Sequence, residues 1–136
     1  MYEINLLEDK DYYDYYYTSK NEKGQIITLN ITSETLNRSI KYYIGFYIGK
    51  RKKGFQYMAA TGKDGIKSLV WAKNCIKNFI ESLQCHHRFS MYEEHYIIVQ
   101  WDDNKRRNAY ERGLKPLGFY YGVDYLKKSL IYKFKK

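Results

Sequence analysis

The residues best suited to chemistry lie in two short stretches. In "ATGKDGIKSL" (60–69), Gly62 and Gly65 bracket Lys63 and Asp64 where a β-rich run gives way to helical periodicity. Backbone N–H groups at a helix start, the positive end of the helix dipole and nearby lysines together make an anion site. Glycines there let the backbone approach a phosphate with no Cβ in the way. The stretch is not a Walker A loop, because GxxxxGK[ST] is absent. The second stretch is "YERGLKPLGFYYG" (110–122), where the chain's one proline, Pro116, precedes a Gly-Phe pair. Pro116 and Gly118 read as a helix stop. Tyr110 stands ahead of them with Leu114 and Leu117 between.

Other chemistries find less support. "CHH" (85–87) with His95 offers metal ligands, but no second CxxC or HxxxH completes a set of four, so no metal is expected. Three histidines and no nucleophile elbow argue against a Ser/His/Asp or Cys/His hydrolase. "YIG" at 43–45 and "YIG" at 47–49 nearly touch, whereas a GIY-YIG nuclease needs about ten residues between its two tripeptides. This stretch reads as glycine-spaced strand.

The elements that must position these residues follow from periodicity. "YEINLL" (2–7) alternates as a first strand, and "EDKDYYDYYYTS" reads as a short helix or irregular turn with acidic residues at its start. "QIITLNI" (25–31) and "IKYYIGFYIG" (40–49) are β-rich, and "GKRKKG" turns the latter into "FQYMAAT" (55–61) as an antiparallel hairpin. From Ile66, apolar residues at Leu69, Ala72, Ile76, Phe79 or Ile80, and Leu83 predict a helix of about five turns, with Lys67, Lys73 and Lys77 opposite. "HYIIVQW" (95–101) has the pattern of a central strand covered on both faces. "DDNKRRNAYERGLK" (102–115) predicts a second helix with Asp/Asn caps. The chain closes on a strand at "KSLIYKF", preceded by a bend or another short strand. The expectation is one α/β (α+β) domain over residues 1–136, its mixed, mostly antiparallel sheet flanked by helices.

The formal net charge of +9 on 136 residues is uneven. Residues 1–40 carry four Lys/Arg against seven Asp/Glu, and residues 41–80 carry nine against one. Such a basic middle suits a polyanion, a phosphorylated ligand or an acidic partner. Lys50, Arg51, Lys52 and Lys53, interleaved with aromatics, also suit nucleic acid, although strand alternation explains the aromatics as well. No apolar run approaches the ~20 residues of a membrane span. The acidic N-terminus does not read as a signal peptide. Cys75 and Cys85 are read as reduced thiols in a cytoplasm.

Taken in order, the pieces resemble the GNAT acetyltransferase superfamily over nearly the full chain. "MYEINLLEDKDY" looks like its opening strand leading into its first helix, and "GKDGIKSL" occupies the place of its CoA-binding turn. "NKRRNAYERGLKPLGF" resembles the helix that ends in Leu-Gly-Phe. The resemblance implies an N-acyltransferase that takes acetyl-CoA as co-substrate and an unidentified amine, small molecule or protein, as acceptor. Its splayed strands expose backbone to the pantetheine arm, which would place Met58, Ala59 and Ala60 there. The pyrophosphate would meet Gly62, Lys63, Asp64, Gly65, Ile66, Lys67 and Ser68. Tyr110 resembles the tyrosine that faces the acyl-CoA sulfur, and would give a proton to the departing thiolate. The chain departs from the pattern in that only Gly65 matches the loop strictly, and Tyr110 lies about one helical turn further from Gly118 than is usual. The strand before the loop lacks a base, which leaves Glu93, Glu94, Asp102 and Asp103 as candidates. A weak or inactive basic binding module on a similar fold is the alternative reading.

Overall fold

The computed structural model describes residues 5–8, 13–21, 24–48, 56–57, 62–84, 92–100 and 104–134. Its elements are β1 (Asn5–Glu8), β2 (Tyr13–Lys20), β3 (Ile26–Leu36), β4 (Ser39–Ile48), β5 (Gln56–Tyr57), α1 (Gly62–Gln84), β6 (Glu94–Gln100), α2 (Asn104–Leu114), β7 (Tyr120–Asp124) and β8 (Lys127–Lys133). The architecture is α+β, with one sheet of order β1-β2-β3-β4-β6-β8-β7 and β5 paired to β4. Every pairing is antiparallel except that of β4 with β6. A parallel pair needs a crossover connection, and α1 is that connection.

One expected element is corrected. The stretch read as a short helix or turn after the first strand is the strand β2, whose Tyr15 and Tyr17 are buried opposite Ile31 and Leu29 of β3. Pairing with β3 decides this, because alternate tyrosines of one strand reach the core while the others face outward. The helix expected to follow the opening strand is therefore absent among the described residues.

The sheet has two unlike faces. Alternation places Tyr15 and Tyr17, Leu29 and Ile31, Ile40 and Tyr42, Ile97 and Val99, and Leu130 and Phe134 on one face, all buried in a single apolar cluster. From α1, this cluster takes Ala72, Cys75, Ile76, Phe79, Ile80 and Leu83. That matches the predicted helical stripe, with Cys75 added to it. The Phe79 ring sits edge-on to Tyr15 and Tyr42, with centroids 5.2 Å away in both cases, a geometry aromatic quadrupoles favour. Leu114 brings α2 into the same cluster, so both helices cover the same face. The stop after α2 has the expected cause. Gly118 adopts φ +109, and its N–H donates to the Lys115 carbonyl at 2.9 Å, closing a short 3-10 turn through Pro116.

Candidate functional site

The parallel pair β4 and β6 parts before either strand ends. Their register runs from Ser39 opposite Glu94 to Tyr43 opposite Ile98. Beyond that, β6 continues to Gln100 against β8 alone among the described residues. The other edge of β4 is occupied by β3 along its whole length, so the edge freed at Tyr43 is the one β5 takes up at Tyr47 and Ile48. Ile44, Gly45 and Phe46 lie between these two partners. Backbone at the carboxyl ends of parting parallel strands is where open α/β sheets bind ligands.

Both helices begin at this end. α1 runs back along β4, with its Phe79 ring 5.2 Å from Tyr42 and its Trp71 ring 6.0 Å from Phe46, so its first turn lies past the end of β4, on the side toward which the strands part. α2 begins four residues after β6 ends and so starts there too. Each helix start presents backbone N–H groups without intrahelical partners and the positive end of its dipole. The helix begins at Gly62 rather than Ile66, so Gly62, Lys63, Asp64 and Gly65 form its first turn rather than a loop ahead of it.

The residues expected to act fall in different places. Met58, Ala59 and Ala60 lie outside the described residues, as do the basic turn 50–53, the "CHH" stretch and Asp102–Asp103. Ile66 continues α1, Lys67 is exposed, and Ser68 is buried in the second turn of the helix. Tyr110 lies in the second turn of α2, half-buried and packed against the apolar cluster. The candidate bases Glu93 and Glu94 lie just before and at the start of β6, the end of the strand remote from the parting. Glu93 pairs with Arg38 at 3.0 Å, and Glu94 pairs with Lys133 at 3.4 Å and accepts from the Tyr96 hydroxyl. Those contacts hold the Glu94 carboxyl below its usual range and push the Tyr96 hydroxyl up to about 12.

The other face of the sheet, opposite the helices, carries a polar cluster that the sequence reading missed. Asp124, 4% exposed, receives the Lys41 ammonium at 2.5 Å and the Tyr43 hydroxyl at 2.7 Å. Gln100 Nε2 donates to the Asp124 carbonyl at 3.4 Å and to Ser129 Oγ at 3.2 Å. Two strands separate β7 from β4, so a flat sheet would hold them about 14 Å apart. The β7–β8 hairpin therefore curls over this face. Its tip completes the crossing, with the Tyr125 hydroxyl donating to Glu34 of β3 and Lys41 lying 4.9 Å from the Tyr125 ring centroid. Burial, then the hydrogen bond and charge of Asp124, push the Tyr43 hydroxyl far above its ordinary value, so at neutral pH it stays protonated. No local motif announces this cluster, because its members come from four strands spread along the chain.

Two further buried groups, His95 and Tyr17, have structural partners. His95 is fully buried, its Nε2 donating to the Tyr92 carbonyl at 3.2 Å and its Nδ1 3.3 Å from the Tyr42 hydroxyl. Tyr17 donates to Asn78 Oδ1 at 2.7 Å, tying β2 to α1. Burial pushes the Cys75 thiol up to about 12, the character of an inert core thiol. Among the described residues no group of His, Cys, Asp and Glu could hold a metal ion, and no helix is long and apolar enough to cross a membrane. In comparisons with known proteins, no family model matches the chain, and no curated protein or solved structure is significantly similar to it.

Proposed function

We propose that the protein is an acyl-CoA-dependent N-acyltransferase of GNAT type, working in the cytoplasm on an amine acceptor. The observation that carries this reading is the parting of β4 from β6 beyond Tyr43 and Ile98, at the end where α1 begins. Acetyl-CoA would supply an acyl group on a good thiolate leaving group. The free amides of the first α1 turn, Gly62 to Gly65, suit its pyrophosphate. Ile44, Gly45 and Phe46 offer β4 backbone, unclaimed by β6, to an extended pantetheine arm. Lys67 at the surface and its buried neighbour Ser68 lie in the second turn of that helix. The neutral acceptor nitrogen attacks the thioester carbonyl, a C–N bond forms, the C–S bond breaks, the nitrogen releases one proton to water, and the sulfur takes one. Tyr110 on α2 is the residue proposed to give it, since an ordinary tyrosine (pKa ~10) matches a thiolate whose acid has a pKa of ~8.5. Holding both substrates in line supplies much of the rate.

The second reading, a basic module that binds nucleic acid or an acidic protein, draws support from Glu93 and Glu94. Their place at the far end of β6 sets two of the candidate bases apart from the parting. Calorimetry with acetyl-CoA, CoA and a short DNA or RNA duplex separates the two readings. The first predicts saturable binding of acetyl-CoA and CoA. Salt-sensitive binding of the duplex, with no response to CoA, would replace it by the second. Should CoA bind, Tyr110→Phe is expected to lower the turnover of acetyl-CoA at least tenfold without weakening its binding. Unchanged turnover at every pH removes Tyr110 from the mechanism.

A further inference from the structure

The two helices occupy one face of the sheet, which leaves the other, partly covered by the curled β7–β8 hairpin, as the side from which an acceptor would reach the parted strands. The polar cluster lies on that side. Tyr43 is the last residue of β4 to pair with β6, and Gln100 is the last residue of β6. On the same face Gly45 places no side chain beyond Tyr43, and a Cβ built there would come no closer than 3.9 Å to the neighbouring Asn30 carbonyl. Opposite these two residues on β3 stand Asn30 and Thr32, joined by a 2.9 Å hydrogen bond. The parting is therefore rimmed on this side by short, uncharged polar groups, with one half-buried hydroxyl held in place at its edge.

We infer that Tyr43, held by Asp124, is the residue that receives and orients the acceptor amine at the parting of β4 and β6. The inference rests on the acyltransferase reading. The Tyr43 proton is committed to the Asp124 carboxylate, which leaves the oxygen lone pairs as the part of the hydroxyl that a ligand can use. A phenol oxygen that donates strongly to a buried carboxylate becomes a better acceptor. It is suited to an amine N–H and directs the nitrogen lone pair elsewhere, toward the acyl carbon. Asp124 acts through Tyr43 and is a positioning residue. The Asp124 carboxyl is already engaged by the Lys41 ammonium at 2.5 Å and the Tyr43 hydroxyl at 2.7 Å, so the arrangement orients the amine through Tyr43. The turn that delivers Asp124 is strained, with Tyr125 at φ 48 and Leu126 at φ 63, both non-glycine residues. Strain of this kind persists where the surrounding contacts over-determine it, and it concentrates at functional sites. The expected acceptor is a primary amine whose neighbouring atoms are small and uncharged, to match Asn30, Thr32 and Gly45.

The test compares wild type, Tyr43→Phe and Asp124→Asn in calorimetry with acetyl-CoA, and in acetyl transfer to a fixed set of probes: ethanolamine, tyramine and spermidine. Tyr43→Phe keeps the Lys41–Asp124 pair and so leaves the fold intact. The expected result is unchanged acetyl-CoA binding in all three proteins, transfer favouring ethanolamine in the wild type, and kcat/KM for that amine lowered about tenfold or more in Tyr43→Phe. The KM for acetyl-CoA should not move, a split that a merely structural role would not produce. Asp124→Asn should show the same loss to a smaller degree. If wild type binds acetyl-CoA but Tyr43→Phe transfers equally well, or if no probe is acetylated, the inference is overturned and the acyltransferase reading stands. If wild type fails to bind acetyl-CoA, both fall together.

Discussion

The two faces of the sheet are built by different rules. On the helix-covered face, stability comes from apolar area: Leu29, Ile31, Ile40, Ile97 and Leu130 pack under α1, with Phe79 wedged between Tyr15 and Tyr42. On the opposite face, Asp124, Lys41, Tyr43, Gln100 and Ser129 are joined by directed polar contacts under a curled hairpin. An apolar face tolerates repacking, whereas a buried carboxylate is stable only while its donors stay in place. The first kind of face supports a fold, and the second holds a particular geometry. That difference is why the acceptor side of the proposed reaction is assigned to the polar face.

The contrast can be broken most forcefully from the apolar side. Phe79→Ala removes a fully buried ring from the centre of the cluster and is expected to cost about 3–5 kcal/mol in denaturant unfolding. A loss under about 1 kcal/mol would mean that α1 does not hold the sheet as described. On the polar face, Lys41→Met leaves Asp124 with Tyr43 as its remaining side-chain donor among the contacts described. It is expected to cost about 2 kcal/mol, less than for a fully buried pair because Lys41 is partly exposed. The smallest effect has the opposite sign. Leu126 is fully exposed at φ 63, so Leu126→Gly relieves strain without losing packing and should stabilise by about 0.5–1 kcal/mol. If it destabilises instead, the exposed leucine is making contacts that the isolated chain does not reveal.

These differences also mark what could be read from the sequence. α1 was legible because its apolar spacing is long and regular, and β4 and β6 because β-branched and aromatic residues crowd into short runs. The stop at Pro116 and Gly118 was legible because only a few residues suit a left-handed helix end. β2 was not. Its alternation is erased where Tyr15, Tyr16 and Tyr17 follow one another, so the inward and outward positions carry the same side chain. The two glycines at the start of α1 read as a loop, and apolar periodicity begins only at Ile66, four residues into the helix. Tyr110 was found as a residue, but its packing on α2 came only with the fold. The Asp124 cluster left no local trace, because residues 41, 43, 100, 124 and 129 meet only once the sheet order and the curl of the last hairpin are known.

The central claim, that acyl-CoA lies where β4 and β6 part, is tested most directly by amide hydrogen exchange with and without acetyl-CoA. Slowed exchange is expected in residues 44–46 and in the first turn of α1, with little change in β2 and β3 away from the parting. Equal exchange at 44–46 and 62–65 at saturating acetyl-CoA, or protection confined to β2 and β3, would contradict it.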